Sequence, residues 1–188
     1  YGALDVGGWL TPAFGVRLNA AYEDTHSYVQ HADGRRNFYA AAIDWNISPK
    51  ATLQLDGNYQ TSAQRSVSGY QLLGGSTIPA HASTTRMLGF QPWQKPVDIH
   101  AANSSARFAY AFNEDWRLRL SAGHSRSLID DNVAFAYGCF YAADCASGAT
   151  PGNYFAPNGD YDVYDYRSPD DTRVDNEARA VLEGRFDT

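Results

Sequence analysis

The sequence is short of lysine, with only Lys50 and Lys95, and it has no cluster of basic residues. With a net charge of -6 and a pI near 5.2 it lacks the electrostatic footprint of a nucleic-acid binder. No apolar run reaches the ~18 residues of a membrane-spanning helix, and the residues from Tyr1 onward lack the basic start and apolar core of a signal peptide. A barrel stays open, because its strands need only ~9–11 alternating residues each. There is a single Met and there are few Leu/Ile runs, against 13 Tyr, 9 Phe and 4 Trp, which disfavours a helical bundle, since aromatic side chains suit a half-buried pleated surface. Cysteine is scarce too. Cys139 and Cys145 have no further Cys or His ligands nearby to complete a zinc site, so a local disulfide is expected, worth about 2 kcal/mol by loop-closure entropy. It implies an oxidising compartment.

What is present is alternation. In Ser105 to Phe112, Ala106, Phe108, Tyr110 and Phe112 fall on one face, with Ser105, Arg107, Ala109 and Ala111 on the other. Asn113-Glu114-Asp115 reads as a turn, after which Trp116, Leu118, Leu120 and Ala122 oppose Arg117, Arg119, Ser121 and Gly123. The same pattern recurs around Val16 to Tyr22, running on toward Val29, and then over Tyr39 to Ile47, Leu53 to Tyr59 and Ala178 to Phe186. With a strand at Tyr1 to Leu10, the expectation is an all-β antiparallel meander of about seven strands.

Connections differ in kind. Thr11–Gly15, Ser48–Lys50 and Asn113–Asp115 are short; His31–Arg36 is a modest polar link, and Ala63–His100 and Ile129–Asp171 are long. Short turns at one end and long loops at the other are the layout of an outer-membrane barrel. Trp45, Phe112, Trp116 and Phe186 gather near the short turns, with Tyr22 and Tyr59 toward the other end, as two interfacial girdles would. A closed bacterial barrel has an even number of strands, so the expected architecture is a segment of a larger transmembrane β-barrel with long extracellular loops. Two other readings remain at this point: a passive porin-like channel and a soluble β-sandwich binding module.

Asn37 to Asn46 (NFYAAAIDWN), Ser48 to Gln60 (SPKATLQLDGNYQ), Gln91 to Pro96 (QPWQKP), Phe108 to Arg119 (FAYAFNEDWRLR) and Asp130 to Cys139 resemble the barrel of TonB-dependent ferric-siderophore receptors, nearest in layout to ferrichrome receptors. The resemblance implies that residues 1–188 are part of a receptor barrel whose plug domain and remaining strands lie outside this sequence. It implies an outer-membrane location and a ferric siderophore as ligand, with no cofactor and no enzymatic activity. The TonB complex, acting through the missing N-terminal part, would be a partner, as would outer-membrane lipid and lipopolysaccharide. In Gly69-Tyr70-Gln71-Leu72 it points to Tyr70 and Leu72 as ligand contacts. In Phe135-Ala136-Tyr137-Gly138-Cys139 it points to Phe135 and Tyr137, with Trp93 as a further aromatic. The sequence has Phe135 where ferrichrome receptors have a first Tyr, and a Leu where they carry a Trp.

The chemistry agrees with this. A siderophore already saturates its iron, so the protein needs aromatic surface and hydrogen-bond donors rather than metal ligands. The acidic run Asp160, Asp162, Asp165, Asp170, Asp171 and Asp175 does not fit the spacing of an EF-hand and is expected to be a solvated loop. Ser121, His124 and Asp130 lack the glycine elbow of a hydrolase.

Overall fold

The computed structural model describes residues 1–141 and 153–186. Among them are seven strands, β1 (Gly2–Thr11), β2 (Phe14–Thr25), β3 (Gly34–Ser48), β4 (Ala51–Gln64), β5 (Val97–Ala111), β6 (Trp116–Ala136) and β7 (Val163–Gly184). They form one antiparallel sheet in the order of the sequence, with β1 and β7 as its edges. A sandwich needs a second sheet to cover the first, and the described residues hold none. This is the expected all-β meander.

The short turns follow from local side-chain chemistry. The Asn113 Oδ1 accepts from the N–H groups of Asp115 and Trp116 at 3.0 and 2.8 Å, an Asx turn that reverses the chain. Thr11 Oγ1 and Ser48 Oγ each accept the N–H two residues on, from Ala13 and Lys50.

Register then sorts the side chains. Val6 pairs with Leu18, Leu18 with Ala41, Ile43 with Leu55, Leu53 with Phe108 and Leu118 with Leu182, so one face of the sheet is apolar from the short turns to about mid-strand, above which it carries Asn37, Thr61, His100 and Arg126. The other face is a ladder of polar contacts between neighbouring strands. Arg17 reaches Asp5 at 2.9 Å, Gln54 reaches Asp44 at 2.8 Å, Arg107 and Ser105 share Asp56 at 2.6 and 2.9 Å, and Arg119 meets Glu183 at 2.7 Å. Arg36 pairs with Glu23, and Ser125, Asn103 and Asn58 form a hydrogen-bonded row. Each such pair contributes about 0.2–1 kcal/mol, so the ladder fixes register more than it supplies stability.

Neither face has a core against it. Leu4, Val6, Leu18 and Leu182 on the apolar face are 64%, 54%, 54% and 58% exposed, which a water-soluble sheet could not sustain over so large an area. Lipid against that face resolves the contradiction. Trp45, Trp116 and Phe186 mark its short-turn margin, with Trp116 and Phe186 edge to face at 5.3 Å. The Trp116 ring lies over Gly184, where an added Cβ would come within 2.6 Å of it.

Several boundaries depart from the sequence expectation. β6 and β7 do not stop near Ile129 and Asp171 but run on to pair Ala136 with Val163, across one irregularity between Ile129 and Asp131. There Asp170 adopts the left-handed region (φ 57°), and its N–H is accepted by Asp130 Oδ1 at 2.8 Å. The Asp130-Asp131 and Pro169-Asp170 pairs that make this bulge are what interrupted the alternation. Likewise β5 begins at Val97 rather than beyond His100, and β2 ends at Thr25 rather than running toward Val29. The long connections are therefore 65–96 and 137–162, and Asp165, Asp170, Asp171 and Asp175 lie on β7 instead of in a solvated loop.

Candidate functional site

The buried apolar residues lie mainly at the long-loop end. Val29, Ala32 and Met87 form one cluster with Phe90, joining loop 26–33 to loop 65–96. The His31 ring stacks on Phe90 at 4.2 Å with 11° between planes, and the Arg65 guanidinium sits 6.0 Å from the Phe90 centroid. Arg65 also donates to the carbonyls of His31 (3.2 Å) and Gln94 (3.3 Å), and buried Gln94 donates to the Ala134 carbonyl at 3.4 Å. A second cluster of Leu88, Ala136 and Phe155, with Leu73 and Tyr161 against it, brings in residues 153–162. Gly138 N–H donates to Gln71 Oε1 at 2.8 Å. The loops are thus one packed mass fastened to the upper end of β6.

Above the bulge, β6, the residue that follows it and β7 bring three rings into mutual contact. Phe135 stacks on Tyr164 at 5.7 Å, and Tyr137 stands edge-on to Phe135 and Tyr164 at 6.4 and 6.1 Å. Their face follows from register. The extra residue of the bulge is on β7, so β6 alternates without a break, and its odd positions from Arg117 and Arg119 to Phe135 share the polar face. Tyr164 is paired with Phe135 and shares it. Tyr137 is fixed by its N–H to the Asp162 carbonyl at 3.0 Å, and the Asp162 carboxylate accepts the N–H groups of Phe140 and Tyr141. Desolvation first, then the neighbouring Tyr141, Asp162 and Tyr137, push the Tyr164 phenol above its ordinary range, so it stays a protonated donor at neutral pH.

The other expected contacts are elsewhere. The Tyr70 hydroxyl is bonded within its own loop, to the Ser83 N–H at 3.1 Å and carbonyl at 3.2 Å. Leu72 is half-buried, and its carbonyl accepts the Phe155 N–H. Trp93 packs under the Arg167 guanidinium at 5.6 Å; Arg167 pairs with Asn132, which puts this contact on the face opposite the three rings. Cys139 is 1% exposed beside Ala156 and disulfide-bonded, while Cys145 lies outside the described residues. No group of acidic, His or Cys side chains among the described residues could hold a metal ion. Tyr164 was missed because residues up to Asp171 read as loop. Its signal was the alternation of Tyr164 and Tyr166 with Val163 and Asp165.

No family model matches the chain. Among curated proteins it is 28% identical to the metal-pseudopaline receptor CntO of Pseudomonas aeruginosa, over 61% of this chain and 16% of that protein. It is 27% identical to the ferric-pyoverdine M114 receptor PbuA of Pseudomonas sp. strain M114, over 99% of this chain and 21% of that protein. The chain therefore spans about a fifth or less of the length of these relatives. Among solved structures, the ferric-catecholate import receptor Fiu of E. coli K12 superposes with a TM-score of 0.76 at 17% identity, over 99% of this chain and 27% of that one. P. aeruginosa FpvA bound to a heterologous pyoverdine gives 0.76 at 18%, over 99% and 23%. At this identity the likeness carries the fold alone, and in fold and strand order the chain matches a seven-strand segment of the barrels of these receptors.

Proposed function

We propose that this chain is part of a longer outer-membrane receptor that takes up ferric-siderophore complexes with energy relayed by TonB. The observation that carries the reading is the division of labour along β6. Its lower half has an apolar face for lipid and an arginine ladder on the other, and its upper half carries the ring cluster on the ladder's side among packed loops. Such a segment anchors in the bilayer and presents aromatic surface at the outer mouth. A plug domain and further strands complete the barrel, and the TonB complex engages the N-terminal part. Outer-membrane lipid, with lipopolysaccharide in its outer leaflet, meets the apolar band. The ligand is a chelate held by rings and hydrogen bonds, so no resident cofactor and no bond chemistry is required.

Phe135 and Tyr137 are the ligand contacts in this reading. Tyr70, Leu72 and Trp93 hold the loops that frame them, and Cys139, whose disulfide partner the sequence reading expects to be Cys145, packs beside Ala156. Replacing Phe135 and Tyr137 together by Ala in the full-length receptor is expected to weaken ferric-chelate binding to outer-membrane fractions by ten- to a hundredfold, about 1.4–2.8 kcal/mol. Unchanged affinity in a correctly inserted variant would refute the assignment.

A further inference from the structure

The ring cluster owes one of its three members to the bulge below it. Beneath the bulge Ile129 pairs with Asp171, and above it Asp131 pairs with Ser168, so Asp130 alone on β6 faces the two residues Pro169 and Asp170 on β7. An unbroken ladder that continued the lower register would set Asp165 opposite Phe135 and Tyr164 opposite Ala136. Such a slip of one residue carries every side chain of the upper β7 to the other face. Tyr164 would leave the rings for the side where Ala136 packs with Leu88 and Phe155, and Asp165 would present a carboxylate to Phe135. Arg167 would leave Trp93 for the polar face. The added residue is thus what gathers three rings on one face and keeps the Asp165–Arg167 ion pair on the other.

Each residue of the bulge suits it. Pro169 has no N–H to give to a ladder and occupies one of the two places left out of the pairing. Asp170 holds a φ of 57°, which Asp tolerates and a β-branched residue does not. Its N–H is accepted by Asp130 Oδ1 at 2.8 Å, which ties the bulge to the facing strand. Resting on the receptor reading above, we propose that Asp130, Pro169 and Asp170 are positioning residues of the chelate site. They fix the register that makes Tyr164, and not Asp165, the partner of Phe135 and Tyr137 on the binding face.

Register is read in the full-length receptor in outer-membrane fractions by a cross-strand disulfide mapped by peptide mass spectrometry. Val133→Cys with Tyr166→Cys reports the observed pairing, and Val133→Cys with Arg167→Cys the slipped one. Binding is read with radiolabelled iron as a ferric trihydroxamate, a ferric tris-catecholate and a ferric pyoverdine, the tightest for wild type serving as the probe. Pro169→Val/Asp170→Val is expected to lower cross-linking between 133 and 166, to raise it between 133 and 167, and to weaken the probe at least about tenfold. Heat-modifiable gel mobility reports that the barrel is folded. Asp130→Leu should act in the same direction. Asp130→Asn keeps the Oδ1 acceptor and Asp170→Gly tolerates the positive φ, so both should leave register and affinity as in wild type. An unchanged cross-link between 133 and 166 in the double variant, or a slipped register with unchanged affinity, would overturn the inference and leave the receptor reading standing. Failure of wild type to bind any of the three chelates would overturn both.

Discussion

Leu18 and Asn19 are neighbours in β2 whose side chains leave the sheet on opposite faces, and this makes them a sharp probe of orientation. Leu18 pairs with Val6 and Ala41 on the apolar face; Asn19 pairs with Asp5 and Ala40 on the polar one. Leu18 lies midway between Phe14 and Tyr22, about 14 Å along the strand from each at ~3.4 Å per residue. At a tilt of ~45° that becomes about 10 Å along the membrane normal, so Leu18 sits near the bilayer midplane. A lysine there costs about 2–4 kcal/mol, a factor of roughly 30 to 1,000 in the unfolding equilibrium. At Asn19 a lysine would face the lumen beside the Asp5 carboxylate, and a cost under about 1 kcal/mol is expected. The assay is denaturant unfolding of the full-length receptor from lipid vesicles, read by tryptophan fluorescence, for Leu18→Lys and Asn19→Lys. Equal losses, or the larger loss at Asn19, would refute the assignment of faces.

Gly184→Val should push the Trp116 ring off the strand it covers, costing about 1–3 kcal/mol and shifting tryptophan emission; an unchanged spectrum and stability would contradict the packing. Arg65→Met removes two hydrogen bonds and a cation–π contact that join loops 26–33 and 65–96, so limited proteolysis should cut these loops several times faster while the barrel resists. Arg119→Leu leaves Glu183 without its partner in a water-accessible lumen, and the expected loss is under about 1 kcal/mol by the same vesicle unfolding assay. A much larger loss would mean that this face is dry.

The strand plan was legible because alternation of period two survives wherever lipid lies on one side and polar contacts on the other. Phe108 against Arg107 and Leu118 against Arg119 state both face and register. Legibility failed where Asp130-Asp131 meets Pro169-Asp170, since a bulge breaks the period without ending the ladder. The site suffered in the same way. Phe135 and Tyr137 stood out through the cysteine that follows them, but Tyr164 joins them through pairing across 137–162, a relation that no local pattern encodes. Tyr70 and Trp93 looked like their equals in the sequence. Only the fold distinguishes a hydroxyl bonded to Ser83, or an indole under Arg167, from a ring in the cluster.

The most direct measurement of the central claim is accumulation of radiolabelled iron, supplied as a ferric-siderophore chelate that the full-length protein binds, by cells whose chelate receptor is that protein. The account predicts saturable accumulation that stops when the proton-motive force is collapsed, while surface binding of the chelate persists. Accumulation that continues after collapse, in proportion to external chelate, would mark a passive channel and contradict it.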